Sequence, residues 1–438
     1  MSTTTVTPAA RGQDLSATVE RIVAETPVWD LHTHLFTPAF GTPLGRGVAA
    51  DPDGLMLWGI DELVTYHYLI AEVMRELPRD DFPTEKFWTL SQQEQADLIW
   101  RKLFVESTPL SEARRGVVTT LTKLGLDPHE PTLDGYRKWF AEQSPEEQIN
   151  RVLEAAGVER VTMTNELFDP NERQRWLDDP AALCADGRFV PVLRFDTLVV
   201  DWPKASEELA TWGYRVDAGF GGDSAAEVGR MLDDWIVRIG PAYCAMSLPP
   251  DWRYPADNVG VRVLTEAILP ACERHGLAQA LMVGVTRGAN PALRLAGDSV
   301  GSSDVESVAS LCRDFSGVDF MVTLLARENQ HELAVAARKF RNLLPFGCWW
   351  FLNNPSLIDE ITRMRMELLG TSFVPQHSDC RVLEQLVYKW DHSRRIIATV
   401  LTEKYADLAK AGWRVDEDAI QRDAHRLLYG ETARWLKV

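Results

Sequence analysis

The sequence predicts an α/β fold, a closed (β/α)8 barrel of the TIM type with a helical insertion after its first strand. Three observations carry this. From about residue 150 onward, short β-rich runs alternate with longer helix-patterned stretches. One more apolar run, 28–35, lies near the N-terminus and ends in two histidines. The chain, at 438 residues, is long enough for one large barrel carrying an insertion.

Taken in order, residues 1–27 are expected to form an N-terminal helical segment, and 28–438 the barrel. The first strand is the run Val28-Trp-Asp-Leu-His-Thr-His-Leu35. The stretch from about 36 to 150 is rich in Leu, Trp, Glu and Arg, with helical periodicity over 60–77 and 92–105, and reads as a helical cap on the barrel mouth. Further strands are expected at 158–165, 188–195, 242–248, 278–284, 319–326, 343–351 and 371–379. Helix-patterned sequence follows them, as at 306–315 and 331–341. No low-complexity linker and no repeat beyond the βα period is visible.

Composition narrows the partners. The apolar share of 45% and charged share of 25% are those of a soluble globular protein. A net charge of −18 argues against nucleic acid and anionic membrane, whose surfaces would repel the chain. No apolar stretch approaches a membrane span, and the opening Met1-Ser-Thr-Thr-Thr-Val-Thr-Pro8 lacks the form of a signal peptide. The six cysteines are scattered without close pairs, which suits reduced thiols in a cytoplasm. A small anionic molecule remains the expected partner, with homo-oligomerisation left open.

The chemistry starts at His32 and His34. On a strand, alternate side chains share a face, so the two imidazoles converge with Cα atoms roughly 6–7 Å apart. Two neutral imidazoles at the mouth of a barrel are what one divalent ion needs from its first ligands. Asp30 is expected on that face too, one step deeper. Asp379 ends the last expected strand, a neighbour of the first in a closed barrel, and completes a His/His/Asp set. That set suits Zn²⁺ first, with Mn²⁺ and Fe²⁺ open. Arg381, two residues on, has the fork geometry to grip a substrate carboxylate. His377, two residues before Asp379, is either a further ligand or base, or a histidine packed in the interior. His67, in the insertion, has a similar balance between a lid contact and a solvated face.

These features resemble the uronate isomerases of the amidohydrolase superfamily. The likeness runs along most of the chain from residue 28. It is carried by the early H-x-H, by Phe346-Gly-Cys-Trp-Trp-Phe351 with Asn353, by Asp379-Cys-Arg381, by Arg194-Phe-Asp196 and by His67-Tyr68. The resemblance implies a (β/α)8 barrel with one divalent metal, usually zinc. It also implies interconversion of an open-chain hexuronate with its 2-keto isomer by proton transfer between C2 and C1. Asp379, Tyr68 and His377 become the catalytic candidates, and Arg381, Arg194, Trp349, Trp350 and Asn353 the substrate-binding ones. The chain departs from the family at two strands. The fourth-strand polar pair is replaced by Leu248 and Pro249, and a fifth-strand histidine by Met282, which cannot move a proton. These departures predict weak turnover of glucuronate and galacturonate. They also keep open a mononuclear metal-dependent hydrolase or lyase acting on a less polar substrate.

Overall fold

The computed structural model describes residues 8–43 and 49–437; the side chains of 8–14 stand outside that description. Of the expected helical segment 1–27, Pro8–Glu25 is one helix and 1–7 lie outside the described residues, as do 44–48 of the expected insertion.

The strands, in chain order, are β1 Val28–Thr33, β2 Val158–Glu166, β3 Phe189–Arg194, β4 Tyr243–Leu248, β5 Ala278–Val283, β6 Val285–Thr286, β7 Ser299–Val300, β8 Phe320–Leu324 and β9 Leu343–Pro345. Seven of them form a curled, wholly parallel sheet in the order β1-β2-β3-β4-β5-β8-β9. β6 and β7 pair apart from it as a two-stranded antiparallel ribbon, a feature too short for the sequence to signal. β1, β5 and β8 are buried along their whole length, as parallel strands covered on both faces must be.

Between β1 and β2 the chain is helical, including Ile60–Val64, His67–Glu76, Gln92–Trp100, Glu112–Lys123 and Pro145–Ala156. The last of these shows how local sequence delivers a strand. Ser144 and Glu147 form a capping box at its start, and Gly157, in the left-handed region at φ 64°, ends it so that β2 begins at the next residue.

Two expectations change. The run 343–351 gives only three strand residues, because Gly347 turns the chain at φ 66° just after them and Trp350, at φ 44°, opens a 3-10 turn, Trp350–Leu352. The run 371–379 makes no regular strand. Pro375 has no N–H to donate, and Asp379 sits in the left-handed region at φ 54°. The segment nonetheless joins the two edges of the sheet. The Gly347 amide donates to the Val374 carbonyl beside β9, and at the other edge the His34 and Asp379 amides bond the carbonyls of Cys380 and His32.

Apolar side chains divide by face. Trp29, Leu31, Tyr243, Ala245, Ala280, Met282 and Met321 cluster inside the curl. Val28, Cys244, Met246, Leu281 and Val322 pack outward against the helices. Among the described residues no helix is long and apolar enough to cross a membrane.

Candidate metal centre and active site

β1 does not run straight to its histidines. Between Asp30 and Thr33 it advances three residues against two of β2, a bulge that breaks the alternation. Trp29 and Leu31 face the interior, and beyond the bulge His32 and His34 do too, with ring centroids 5.1 Å apart. Asp30, expected on the same face, instead points toward the outer helix. Its carboxylate accepts from Trp390 Nε1 at 2.8 Å and from the Ser378 amide at 3.1 Å. It therefore anchors the backbone next to Asp379.

The Oδ1 of Asp379 stands 3.5 Å from the Nε2 atoms of both His32 and His34. Ligand atoms around a tetrahedral ion at bonds of about 2.0–2.2 Å are separated by about 3.3–3.6 Å. Both carboxylate–imidazole separations match this, with all three ligand atoms within 4.8 Å of one another. These three are the only His, Cys, Asp or Glu group among the described residues assembled this way. The tautomer fits as well. Thr164 Oγ1 spends its hydrogen on the Thr33 carbonyl at 2.5 Å and so accepts from His32 Nδ1 at 3.4 Å. The Nε2 lone pair, buried and without a hydrogen-bond partner, is left facing the site. Burial lowers His34 to about 4, keeping it neutral. Burial would raise the Asp379 carboxyl, but the two facing histidines hold it well below the usual carboxylate range. The Asp379 carboxylate therefore faces a neutral His34 and the free Nε2 of His32.

The triad opens into a cavity of about 120 Å³ whose wall includes Tyr66, His67, Arg194, Ser247, Met282, Trp349, Trp350 and Arg381. Arg381 is the cation here that has no ion-pair partner among the described residues; only its backbone amide is engaged, by Gln385 Oε1. Arg194, by contrast, is held by Asp196 at 3.0 and 2.5 Å and by Glu166 at 3.4 Å. Burial opposes its charge and Asp196 restores it, so Arg194 stays a cation above its ordinary range. Burial, with Asp196 nearby, pushes Glu166 up to about 8. Both Trp350 and Asp379 are non-glycine residues in the left-handed region, strain that gathers at the cavity.

Other expected residues lie elsewhere. Tyr68 and Asn353 line a neighbouring cavity behind His67 and Trp350. His377 is fully buried behind His32, ring centroids 5.4 Å apart, with neither ring nitrogen hydrogen-bonded, and burial holds it neutral. The tyrosine that does line the triad's cavity is Tyr66, the residue just before helix His67–Glu76. Burial keeps its phenol protonated, well above the usual range. Met282 lies on the wall, while Leu248 packs into the outer core.

With the geometry in place, the chain can be compared with known proteins. No family model matches it, and no curated protein sequence does. Solved structures do. A uronate isomerase from Bacillus halodurans C-125 superposes with a TM-score of 0.92 at 47% identity, covering 99% of this chain and 98% of that one. The chain belongs to the uronate isomerase family. A uronate isomerase from Thermotoga maritima (TM-score 0.74, 15% identity, 97% of each chain) and a glucuronate isomerase from Caulobacter crescentus (0.74, 14%, 98% and 95%) share the fold. The protein is accordingly a uronate-isomerase-like enzyme, and the hydrolase alternative gains nothing from these relatives.

Two expected results follow from this site. Asp30→Asn keeps the shape but presents an amide N–H₂ to one of two donors, loosening the backbone beside Asp379. Metal affinity should fall roughly 10–100-fold, read by titration of the metal-free protein; unchanged affinity would remove Asp30 from the orienting role. His67, held at about 3 by burial and with both ring nitrogens unpartnered, binds its proton more readily unfolded than folded. Its depressed value makes stability drop as pH falls from about 6.5 toward 3, since the unfolded chain takes the proton first. Glu166, raised from its ordinary 4.5 to about 8, costs stability as pH rises across that range and so opposes the His67 trend between about 4.5 and 6.5. Buried His34 and His377 act in the same direction as His67, so His67 supplies only part of the acid limb. His67→Gln should flatten the acid limb of stability measured by urea unfolding, and an unaltered limb would refute the assignment.

Proposed function

We propose that this enzyme interconverts an open-chain hexuronate, such as glucuronate or galacturonate, with its 2-keto isomer, using one divalent ion, Zn²⁺ first, held by His32, His34 and Asp379. The observation that carries the reading is the unpaired guanidinium of Arg381 on the same small cavity as that triad. In a chain of net charge −18, a free cation beside a metal set calls for an anionic ligand, and a carboxylate matches its fork.

The ion, when bound, polarises the substrate's carbonyl and hydroxyl oxygens. Arg381 holds the carboxylate at the far end and thereby fixes which carbons lie against the triad. The oxygen of Asp379 not shared by the histidines accepts the C2 proton. The C–H electron pair becomes the C1=C2 bond of an enediol. Tyr66, kept protonated by burial, donates a hydrogen bond to the developing oxyanion, a role that Met282 cannot fill. The proton returns at C1 while the hydroxyl proton passes from O2 to O1, so mass is conserved. Trp349 and Trp350 cover the sugar and exclude water.

This reading places the site at the mouth of a closed (β/α)8 barrel formed by residues 28–438, with the helices of about 36–150 as its cap. A cytoplasmic setting fits the six unpaired cysteines. Incubating the zinc-loaded enzyme with D-glucuronate and D-galacturonate, with mass and NMR detection, tests it. A ketose of unchanged mass is expected; products carrying added water from ester or amide substrates, with no ketose, would overturn it. Arg381→Lys keeps the charge but loses the two-pronged geometry. It should lower kcat/KM by roughly 10–100-fold, mostly through KM, and an unchanged value would exclude bidentate binding.

A further inference from the structure

Behind the wall made by His67 and Trp350 lies a second cavity of about 270 Å³, larger than the one at the triad. Helix Gln385–Lys410 brings Lys389 to it, and helix His67–Glu76 brings Tyr68. Lys389 is only 3% exposed. Its ammonium sits 5.3 Å from the ring centres of both Tyr68 and Tyr388. Among the described residues its Nζ donates no hydrogen bond and has no carboxylate at ion-pair distance. The acids on the same wall are committed elsewhere. Glu72 accepts from Ser111 and Arg114, Glu112 from His392 and Arg115, and Asp298 from Arg287 and the Gly288 amide. Asn353, 4% exposed, also reaches this wall, and its Nδ2 is buried without a partner.

A buried ammonium with no counter-ion and a buried amide with no acceptor are both unfavourable, and both are resolved by one acceptor that carries negative charge. Much of the remaining wall is aromatic or apolar, with Tyr68, Tyr388, Trp350, Phe351 and three alanines among its side chains. We propose that this cavity is a second binding site, separate from the metal centre, for a small carboxylate-bearing molecule with a ring or polyol body. The carboxylate bonds Lys389 Nζ and Asn353 Nδ2, and the carbon skeleton lies on the aromatic faces. An inorganic oxyanion would satisfy the two donors but leave the aromatic walls and most of the volume without contacts. The inference stands on these residues alone and does not depend on the reaction at the triad.

Calorimetric titration with D-gluconate, which has no carbonyl to isomerise, tests it on the zinc-loaded and the metal-free protein. One binding event should persist in metal-free protein and in Arg381→Ala, and weaken at least tenfold in Lys389→Met. Neutral D-glucitol and inorganic phosphate should each bind that site at least tenfold more weakly than gluconate. Lys389→Met replaces an unpaired buried charge with an apolar side chain of similar length, so its Tm should equal or exceed that of the parent. Should that variant fail to fold, Asn353→Asp, which sets a carboxylate where the ligand's would lie, should abolish the event. The proposal is overturned if no event survives metal removal, if the surviving event is indifferent to Lys389→Met or Asn353→Asp, or if glucitol or phosphate binds there as tightly as gluconate.

Discussion

Replacing His32 by Ala should abolish activity and cut metal occupancy, with the fold largely intact. The ring sits inside the curl with its Nε2 aimed at Asp379, and His377 lies behind it rather than on the cavity wall. Loss of one of three protein ligands removes both the ion and the electrostatic stabilisation of the enediol, an effect of several kcal/mol on the barrier and roughly a 10³-fold fall in kcat or more. Asp379→Asn is the sharper partner. Asn tolerates the left-handed backbone at φ 54° nearly as well as Asp, so the geometry should survive while the charge and the proton acceptor are lost. Metal analysis of both purified variants checks this, with circular dichroism to confirm folding. Full zinc occupancy in His32→Ala would refute the ligand assignment.

The largest stability effect should come from Gly347→Ala. Gly347 has φ 66°, and a Cβ there would lie 1.7 Å from His377 Nδ1. Its carbonyl is fixed by Arg365 Nη1 at 2.8 Å, and the next amide, Cys348, by Gln376 Oε1 at 2.9 Å, so the turn cannot drift away from the ring. Arg365 is fully buried and itself tied to Gln330. The clash plus the left-handed strain should cost about 3–5 kcal/mol, seen as a lower urea midpoint at unchanged m. Gly347→Ala with His377→Ala removes the steric part and should recover most of the loss relative to His377→Ala alone. Additive losses in that double-mutant cycle would show the ring is not what fills the glycine's space.

How much of this was visible in the sequence differs from residue to residue. The H-x-H pair was legible because two residues apart means one face, whether or not a bulge precedes it. Asp30 was not, because the bulge that turns it outward leaves no trace in residue type. Asp379 and Arg381 were legible from their place at the end of the last β-rich run, although Pro375 and the backbone at Asp379 break that run as a strand. Tyr66, which lines the triad's cavity, carried no signal that set it apart from Tyr68. It stands at the residue preceding the helix, with φ −63° and ψ 143°, where neither helical nor strand periodicity says which way a side chain points. Asn353 follows the turn at Trp350, whose positive φ carries it away from the triad and into the neighbouring cavity. The alternation of apolar β-runs with helices in one parallel sheet was the most legible part, although the expected eighth strand, 371–379, did not form and the sheet has seven strands.

The joint at 374–380 has a consequence for the chain as it is made. Asp30 and Ser378, whose bond anchors the triad, are 348 positions apart in sequence. A ribosome adding about 5–20 residues per second needs about 20–70 s to cover that distance. Throughout that interval β1 has at most β2 as a partner, and its other edge, with the His34 amide and His32 carbonyl unmatched, is open to any strand nearby. The ion cannot shorten the wait, since its third ligand does not yet exist. The catalytic centre is therefore completed only after every strand of the sheet has been made, and nascent or truncated chains lacking that segment should be the species that aggregate.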